Sequence, residues 1–454
     1  MDVLSDHSAL PGGPRCADPV AATVLDADRK HVLHGFAPLR RQAEPGPIFR
    51  SAAGLHLTDV EGNDWLDACA GLANVSLGYG RDDLADVAWA AMRRLSFGTT
   101  FYHNRGHVAG AQLAEKLTEI TPHGLDQFFY TLGGSDAVET AIKIARYANI
   151  VAGRPEKIHI IGRVRSYHGV SYGALNMTGD PAMWRQAGPR LPGFSHIEQP
   201  ESGTVGAAKA LEDEILRVGP EKVAAFMAEP ISTPNGIVVP PEDYWPQVRE
   251  ICSKYDVLLI ADEVLTGFGR AGRMFALQNW DVRPDVMTMS KAITAGYFPL
   301  SAVGLTSELV KRLEAGGEDG FRHGLTNSGH AVGCAVALAT IDIMEREDVV
   351  ARGAEAGQYL VRRLGELADR HPALKRHSIR AIGLMVAIDF DAAAAGPEFG
   401  PAAHAQFVRE RLFVRDYLGG QTVGFLPSLT ATAADLDEIV QRMDDALTTV
   451  EATR

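Results

Sequence analysis

"VLLIADEVLTGFGRAGRMFALQNWDVRPDVMTMSKAITAGYFPLSAVGLT", residues 257–306, sets three apolar runs within fifty positions. "VLLIADEV" (257–264), "VMTMSK" (286–291) and "PLSAVGLT" (299–306) are each the length of one strand. They lack the polar alternation of a sheet with one wet face, so they suit strands covered on both sides. "KIHII" (157–161) and "VAAFMAEP" (223–230) are of the same kind. Helical patterns lie between the runs. In "SDAVETAIKIARYANI" (135–150), Ala137, Val138, Ala141, Ile142 and Ala145 fall on one helical face. The alternation predicts an α/β fold with a mostly parallel central sheet flanked by helices. Ligands of such sheets sit beyond the carboxyl ends of the strands. Three of these runs carry an ionisable residue at that end: Glu229, Asp262 and Lys291.

Outward from this centre the pattern changes. From about residue 343 the chain carries the helical "ADLDEIVQRMDDALTTV" (434–450) and one short strand, "LMVAIDF" (384–390), which predicts a smaller α+β unit. "HLTDVEGNDWLDA" (56–68) reads as a hairpin turning at Glu61-Gly62-Asn63. The expected division is 1–77 and 343–454 for a small domain built from both ends, with 78–342 as the large one. "HAVGCAVALATIDIM" (330–344) is expected to be a buried helix, because its uncharged part is too short to cross a bilayer. "DAAAAGPEFGP" (391–401) reads as a surface connection, and the Pro/Gly-rich residues 1–20 as poorly ordered.

Composition narrows the function. At 454 residues there is room for two domains, and 46% hydrophobic with 22% charged residues is ordinary for a soluble globular chain. The net charge of −13, with no basic stripe, argues against nucleic acid or an anionic membrane as partner. Cys16, Cys69, Cys252 and Cys334 are scattered, without paired spacing or histidines nearby. No zinc site or disulfide framework is expected, and a cytoplasmic location fits. "MDVLSDHSALPGGPRCADP" has neither a basic start nor an apolar core, so no signal peptide is expected.

Four motifs carry chemistry. In "YTLGGSDAVET", Gly133, Gly134 and Ser135 open a helix, where free N–H groups make an anion site; Asp136 and Glu139 there are spaced like a capping box. Tyr167-His168-Gly169 sets an aromatic face beside a glycine, suited to stacking on a planar ring. Asp262 ends an apolar strand, where a carboxylate needs a cationic partner to stay ionised. "FRHGLTNSGHAVG" puts the Thr326 hydroxyl just before a helix, in reach of a phosphate. Singly, each is better read as a helix cap, a strand-end carboxylate or a loop residue. In order, and with Lys291 following Asp262, they suit one cofactor, pyridoxal 5′-phosphate. It needs a phosphate cradle, a stacking ring, a carboxylate at its pyridine nitrogen and a lysine for its Schiff base.

"LLIADEVLTGFGRAGRMFA", "PDVMTMSKAITAGYFPLSAV" and "HGLTNSGHAVGCAVALA" closely resemble the signatures of class III (ω-) aminotransferases, of the pyridoxal-phosphate fold-type I superfamily. The resemblance runs from about Asp28 to the C-terminus. It implies Lys291 as the Schiff-base lysine and proton carrier, and Asp262 as the partner of the pyridine nitrogen. Tyr167 and Val264 would cover the two ring faces, and Gly134 and Ser135 would hold the phosphate. His168 and Glu229 would stand close by, and Thr326 would reach the phosphate of a neighbouring subunit in a homodimer. The implied reaction moves an amino group from an ω-amine or amino acid to a keto acid, with pyruvate the expected acceptor, in two half-reactions.

Departures from the family pattern bear on the substrate. Ala73 stands where relatives often carry a tryptophan, and Phe101 and Tyr102 keep an aromatic wall; a wider pocket for bulkier amines is expected. Arg415 matches the mobile arginine that receives a carboxylate, but about two extra residues separate it from Pro427-Ser428-Leu429. Where relatives place Ser or Asn before the Gly-Ser, this chain has Gly133, so modest cofactor affinity is expected. An aminomutase or racemase shares the same Lys, Asp and Tyr, and stays open as an alternative. A non-catalytic scaffold is disfavoured by the presence of all three. No GxGxxG follows the first strand and opens a helix, which makes a dinucleotide-binding reading weaker still.

Overall fold

The computed structural model describes residues 21–37, 46–101, 105–201, 204, 206–316 and 320–453. Among these described residues fifteen strands form three sheets. In chain order they are β1 (Phe49–Ala53), β2 (His56–Asp59), β3 (Asp64–Asp67), β4 (Leu125–Thr131), β5 (His159–Arg163), β6 (Phe194–Ile197), β7 (Val223–Ala228) and β8 (Leu258–Asp262). There follow β9 (Val286–Met289), β10 (Ser301–Thr306), β11 (Arg380–Ile382), β12 (Met385–Asp389), β13 (Leu412–Phe413), β14 (Arg415–Tyr417) and β15 (Thr422–Phe425).

The central sheet has the order β4-β10-β9-β8-β7-β5-β6. Every pairing from β9 to β6 is parallel, while β10 runs antiparallel to both its neighbours. All residues of β7, β8, β9 and β10 are buried, as the unbroken apolar runs predict. Their side chains alternate between two layers. Ala225, Met227, Leu258, Ile260, Val286 and Val303 face the helix Gly134–Val151. Phe226, Leu259, Met287 and Ala302 join the opposite core with Trp245, Val248 and Val332. Burying each large side chain contributes about 1.5–3 kcal/mol, so a strand covered on both faces is doubly anchored.

The ends of the chain share a second sheet, β1-β2-β3-β13, in which β13 lies parallel to β3. The hairpin at residues 56–68 is present as the antiparallel β2–β3 pair. The third sheet, β11-β12-β15-β14, is antiparallel throughout. Residues 330–344 form the helix Ala331–Arg346, with ten buried residues. Two local readings are corrected. Residues 391–401 are not a plain surface connection: Asp391 caps a short helical turn, and Phe399 is buried at the start of the helix Phe399–Arg409. Glu139 does not box its own helix; its carboxylate accepts the Gly173 and Ala174 N–H groups (2.6 and 3.2 Å) of the helix Tyr172–Met177. The expectation for residues 1–20 lies outside the described residues.

Candidate active site

The carboxyl ends of β4, β5, β7, β8 and β9 converge, and each contributes to one cluster. Asp262 ends β8 and pairs in register with Thr288 of β9. One of its carboxylate oxygens accepts the Thr288 hydroxyl (3.0 Å) and the Val264 N–H (3.1 Å). The other lies 2.6 Å from His168 Nδ1. Asp262 and His168 are both buried. Glu229, just beyond β7, accepts the Tyr167 N–H (3.0 Å), lies 3.4 Å from the Arg163 guanidinium and 3.9 Å from His168 Nε2. Burial alone would push the His168 imidazole down, but the Glu229 and Asp262 carboxylates outweigh it and hold its pKa above the ordinary histidine value.

Lys291 follows β9 and opens a short 3-10 turn, Lys291–Thr294. Its φ of +44° lies in the left-handed region, which a β-carbon disfavours. The amine makes no hydrogen bond or ion pair with the described residues. Burial draws its pKa below the usual lysine value. The Asp262 and Glu229 carboxylates oppose that shift, and the Arg415 guanidinium adds to it. A strained lysine whose charged form burial disfavours, and whose amine has no partner among the described residues, suits a chemical role better than a structural one.

The anion loop lies against the same cluster. Gly133 caps the helix Gly134–Val151 in extended conformation. A β-carbon on Gly134 would stand 2.9 Å from Val264, and one on Gly169 would stand 2.3 Å from the Ser135 hydroxyl. The Ser135 oxygen also accepts the Val170 N–H (3.2 Å). These glycines let three segments close on one another beside the helix N-terminus. Tyr167, partly exposed, stands on the loop between Glu229 and Gly169; burial pushes its hydroxyl pKa up, with Arg415 opposing. Lys291, Asp262, His168, Glu229, Tyr167, Val264, Gly134 and Ser135 are thus brought together. The donor set fits pyridoxal phosphate: helix N–H groups and a hydroxyl for the phosphate, a carboxylate for the pyridine nitrogen, an aromatic ring, and an amine with no other partner.

Phe101 and Thr326 are on two loops that pack together. Thr100 Oγ1 donates to the Ser328 carbonyl (3.0 Å), His107 Nε2 lies 2.6 Å from the Gly329 carbonyl, and Gly324 abuts the Phe101 ring. Thr326 is exposed in the turn between them. Tyr102 is outside the described residues. Ala73 is buried at φ +57°, in an apolar cluster with Leu426 and Tyr417. Arg415 is on β14, its guanidinium 5.6 Å from the centre of the Tyr417 ring.

Sequence reasoning did not single out Arg163, Thr288 or Thr178. Arg163 is fully buried at the end of β5, and its guanidinium also donates to the Glu229 carbonyl. Thr178 accepts the His168 N–H (2.8 Å) and donates to the Gly169 carbonyl (2.9 Å), clamping the loop. The only trace of these in the chain was the strand-end arginine in "IIGR"; register and loop packing supplied the rest.

Fold and site define a pyridoxal-phosphate-dependent enzyme of fold type I. The aminotransferase class-III family profile matches residues 40–447, and the chain belongs to that family. It is 37% identical to a diaminobutyrate–2-oxoglutarate transaminase of Halomonas elongata, over 94% of this chain and 96% of that one. A putrescine–pyruvate aminotransferase of Pseudomonas aeruginosa is 38% identical, over 91% and 93%. The solved structure of a transaminase from the marine bacterium Virgibacillus superposes with a TM-score of 0.91 at 33% identity, covering 95% and 99% of the two chains.

Proposed function

We propose that this aminotransferase moves an amino group from an ω-amine or amino acid to pyruvate. The carrying observation is the partnerless Lys291 amine at the ends of β8 and β9, beside the Asp262 carboxylate. Bound pyridoxal phosphate supplies an electron sink that makes the proton on the amine-bearing carbon acidic. Lys291 Nζ, whose charged form burial disfavours, would take that proton and return it. Asp262 holds positive charge at the pyridine nitrogen, and His168 and Thr288 hold Asp262. Tyr167 would cover one face of the bound ring and Val264 the other. The helix N-terminus at Gly134 and Ser135 receives the phosphate.

Arg415 is read as the group that receives a substrate carboxylate, since its charge acts on both Lys291 and Tyr167. Pyruvate as acceptor is supported by the putrescine–pyruvate relative. A bulky donor is supported by the small Ala73 beside Tyr417. The active unit is read as a homodimer, in which Phe101 and Thr326 of one copy complete the site of the other. The exposed apolar side chains of Trp89, Met92, Leu95, Phe97 and Val108 support that. The division into 1–77, 78–342 and 343–454 is kept, with the chain passing residue 342 on one continuous helix. No described helix is long and apolar enough to cross a membrane. Cys69, Cys252 and Cys334 are free, which suits the cytoplasm.

The test is mass balance. The holoenzyme is given an ω-amine and pyruvate, and alanine is counted against the aldehyde or ketone formed. One-to-one formation is expected. Conversion without pyruvate, with scrambled chirality or a shifted amino group, would instead show a racemase or aminomutase.

A further inference from the structure

We propose that Tyr417 is the resting partner of Arg415, and that this aromatic shelf sets how the site divides between carboxylate-bearing and uncharged substrates. The proposal rests on the reading of Arg415 as the carboxylate receiver.

Arg415 and Tyr417 are two residues apart on β14, so their side chains share a face. The guanidinium carbon is 5.6 Å from the ring centre, within range of a cation–π contact. Among the described residues Arg415 has no carboxylate partner. Its neighbour is therefore neutral, and a neutral neighbour yields to a substrate carboxylate where an ion pair would not. Tyr417 itself is fixed. It is buried in the cluster with Ala73 and Leu426. Across the hairpin stands Gly424, in register with Arg415. A β-carbon there would lie 2.3 Å from the Tyr417 ring and 3.3 Å from the Arg415 β-carbon. The missing side chain is what leaves room for both. Arg415 also lies close enough to act on the Lys291 amine, so one end of its travel is the shelf and the other is the substrate. When a substrate brings no carboxylate, the shelf keeps the charge from being left alone in an apolar pocket.

The test compares binding to the holoenzyme by calorimetry of two non-reacting probes, 3-phenylpropionate and 3-phenylpropanol. It adds kcat/KM for alanine against racemic 1-phenylethylamine. Tyr417→Leu removes the π-face and keeps apolar bulk. It is expected to shift both ratios toward the carboxylate by roughly fivefold, the scale of one cation–π contact. Tyr417→Phe restores the wild-type ratios within about twofold. Equal losses on both probes, or a greater loss for the carboxylate, overturn the proposal. Should the leucine variant fail to fold, Gly424→Ala pushes on the ring from across the hairpin and is read in the same way. Arg415→Leu tests the underlying reading separately. If it leaves the probe ratio at the wild-type value, Arg415 is not the carboxylate receiver, whatever Tyr417 does.

Discussion

On the reading that Ala73 borders the donor, one side chain sets what the enzyme accepts. It occupies a run of left-handed residues, with Ala70 at φ +48°, Gly71 at +66° and Ala73 at +57°. Asp67 holds that run by accepting the Cys69 N–H (2.8 Å), the Gly71 N–H (2.7 Å) and the Tyr79 hydroxyl (2.8 Å). A wall fixed by a buried carboxylate moves little, so the residue it presents decides the room beside it. An Ala73→Trp variant is expected to lose about tenfold or more in kcat/KM for amines with a bulky second substituent, with propylamine nearly unchanged. Equal losses on both would show that Ala73 does not border the donor. At this scale the sequence was partly legible. Lys291 and Asp262 could be named because each breaks an apolar run with a charge. Arg163 and Thr178 could not. Each acts through one or two hydrogen bonds to segments distant in the chain, and no spacing announces such bonds.

Among the elements, the ends of β8 and β9 carry most of the chemistry, and Glu263 ties them to the loop beyond. It is wholly buried. Its carboxylate accepts the Ala276 and Leu277 N–H groups (3.1 and 2.9 Å), at the start of the 3-10 turn Ala276–Asn279, and the Thr266 hydroxyl. Burial pushes its pKa up to about 7. A carboxyl whose folded pKa is raised favours the folded state most while protonated. Its contribution is full below the unfolded value near 4.5, falls as pH rises toward 7, and is level above that. The fall is about 3 kcal/mol. Glu263→Gln removes the titration. Whatever its offset at pH 5, the melting temperature of the variant relative to wild type should climb between pH 5 and 7.5. A flat difference would mean that Glu263 stays ionised throughout. The strands themselves were readable, because β7 to β10 are apolar from end to end. The short strands β1, β13, β14 and β15 were not: they are two to five residues long, and β13 is placed by pairing with β3 at the other end of the chain, which leaves no local pattern. Residues 391–401 misled because their Ala, Gly and Pro content resembles a loop, while Phe399 anchors the next helix.

At the scale of the whole molecule, the proposed homodimer makes each chain contribute to two sites. Trp89, Met92 and Val108 are more than half exposed. A second copy covering these side chains would hide apolar surface and complete the sites. The holoenzyme is expected to run at twice the chain mass in light scattering. Met92→Glu should drive it toward one chain and remove most of its activity. A fully active single chain would refute the shared site.

The central claim is that Lys291 and its neighbours hold pyridoxal phosphate and pass an amino group through it. The most direct test is the visible spectrum of the loaded protein during titration with an ω-amine and then with pyruvate. The long-wavelength band of the lysine-bound cofactor should bleach with the amine and return with pyruvate, and Lys291→Ala should never show it. A band that no amine bleaches, or a wild-type protein that never develops one, would contradict the account.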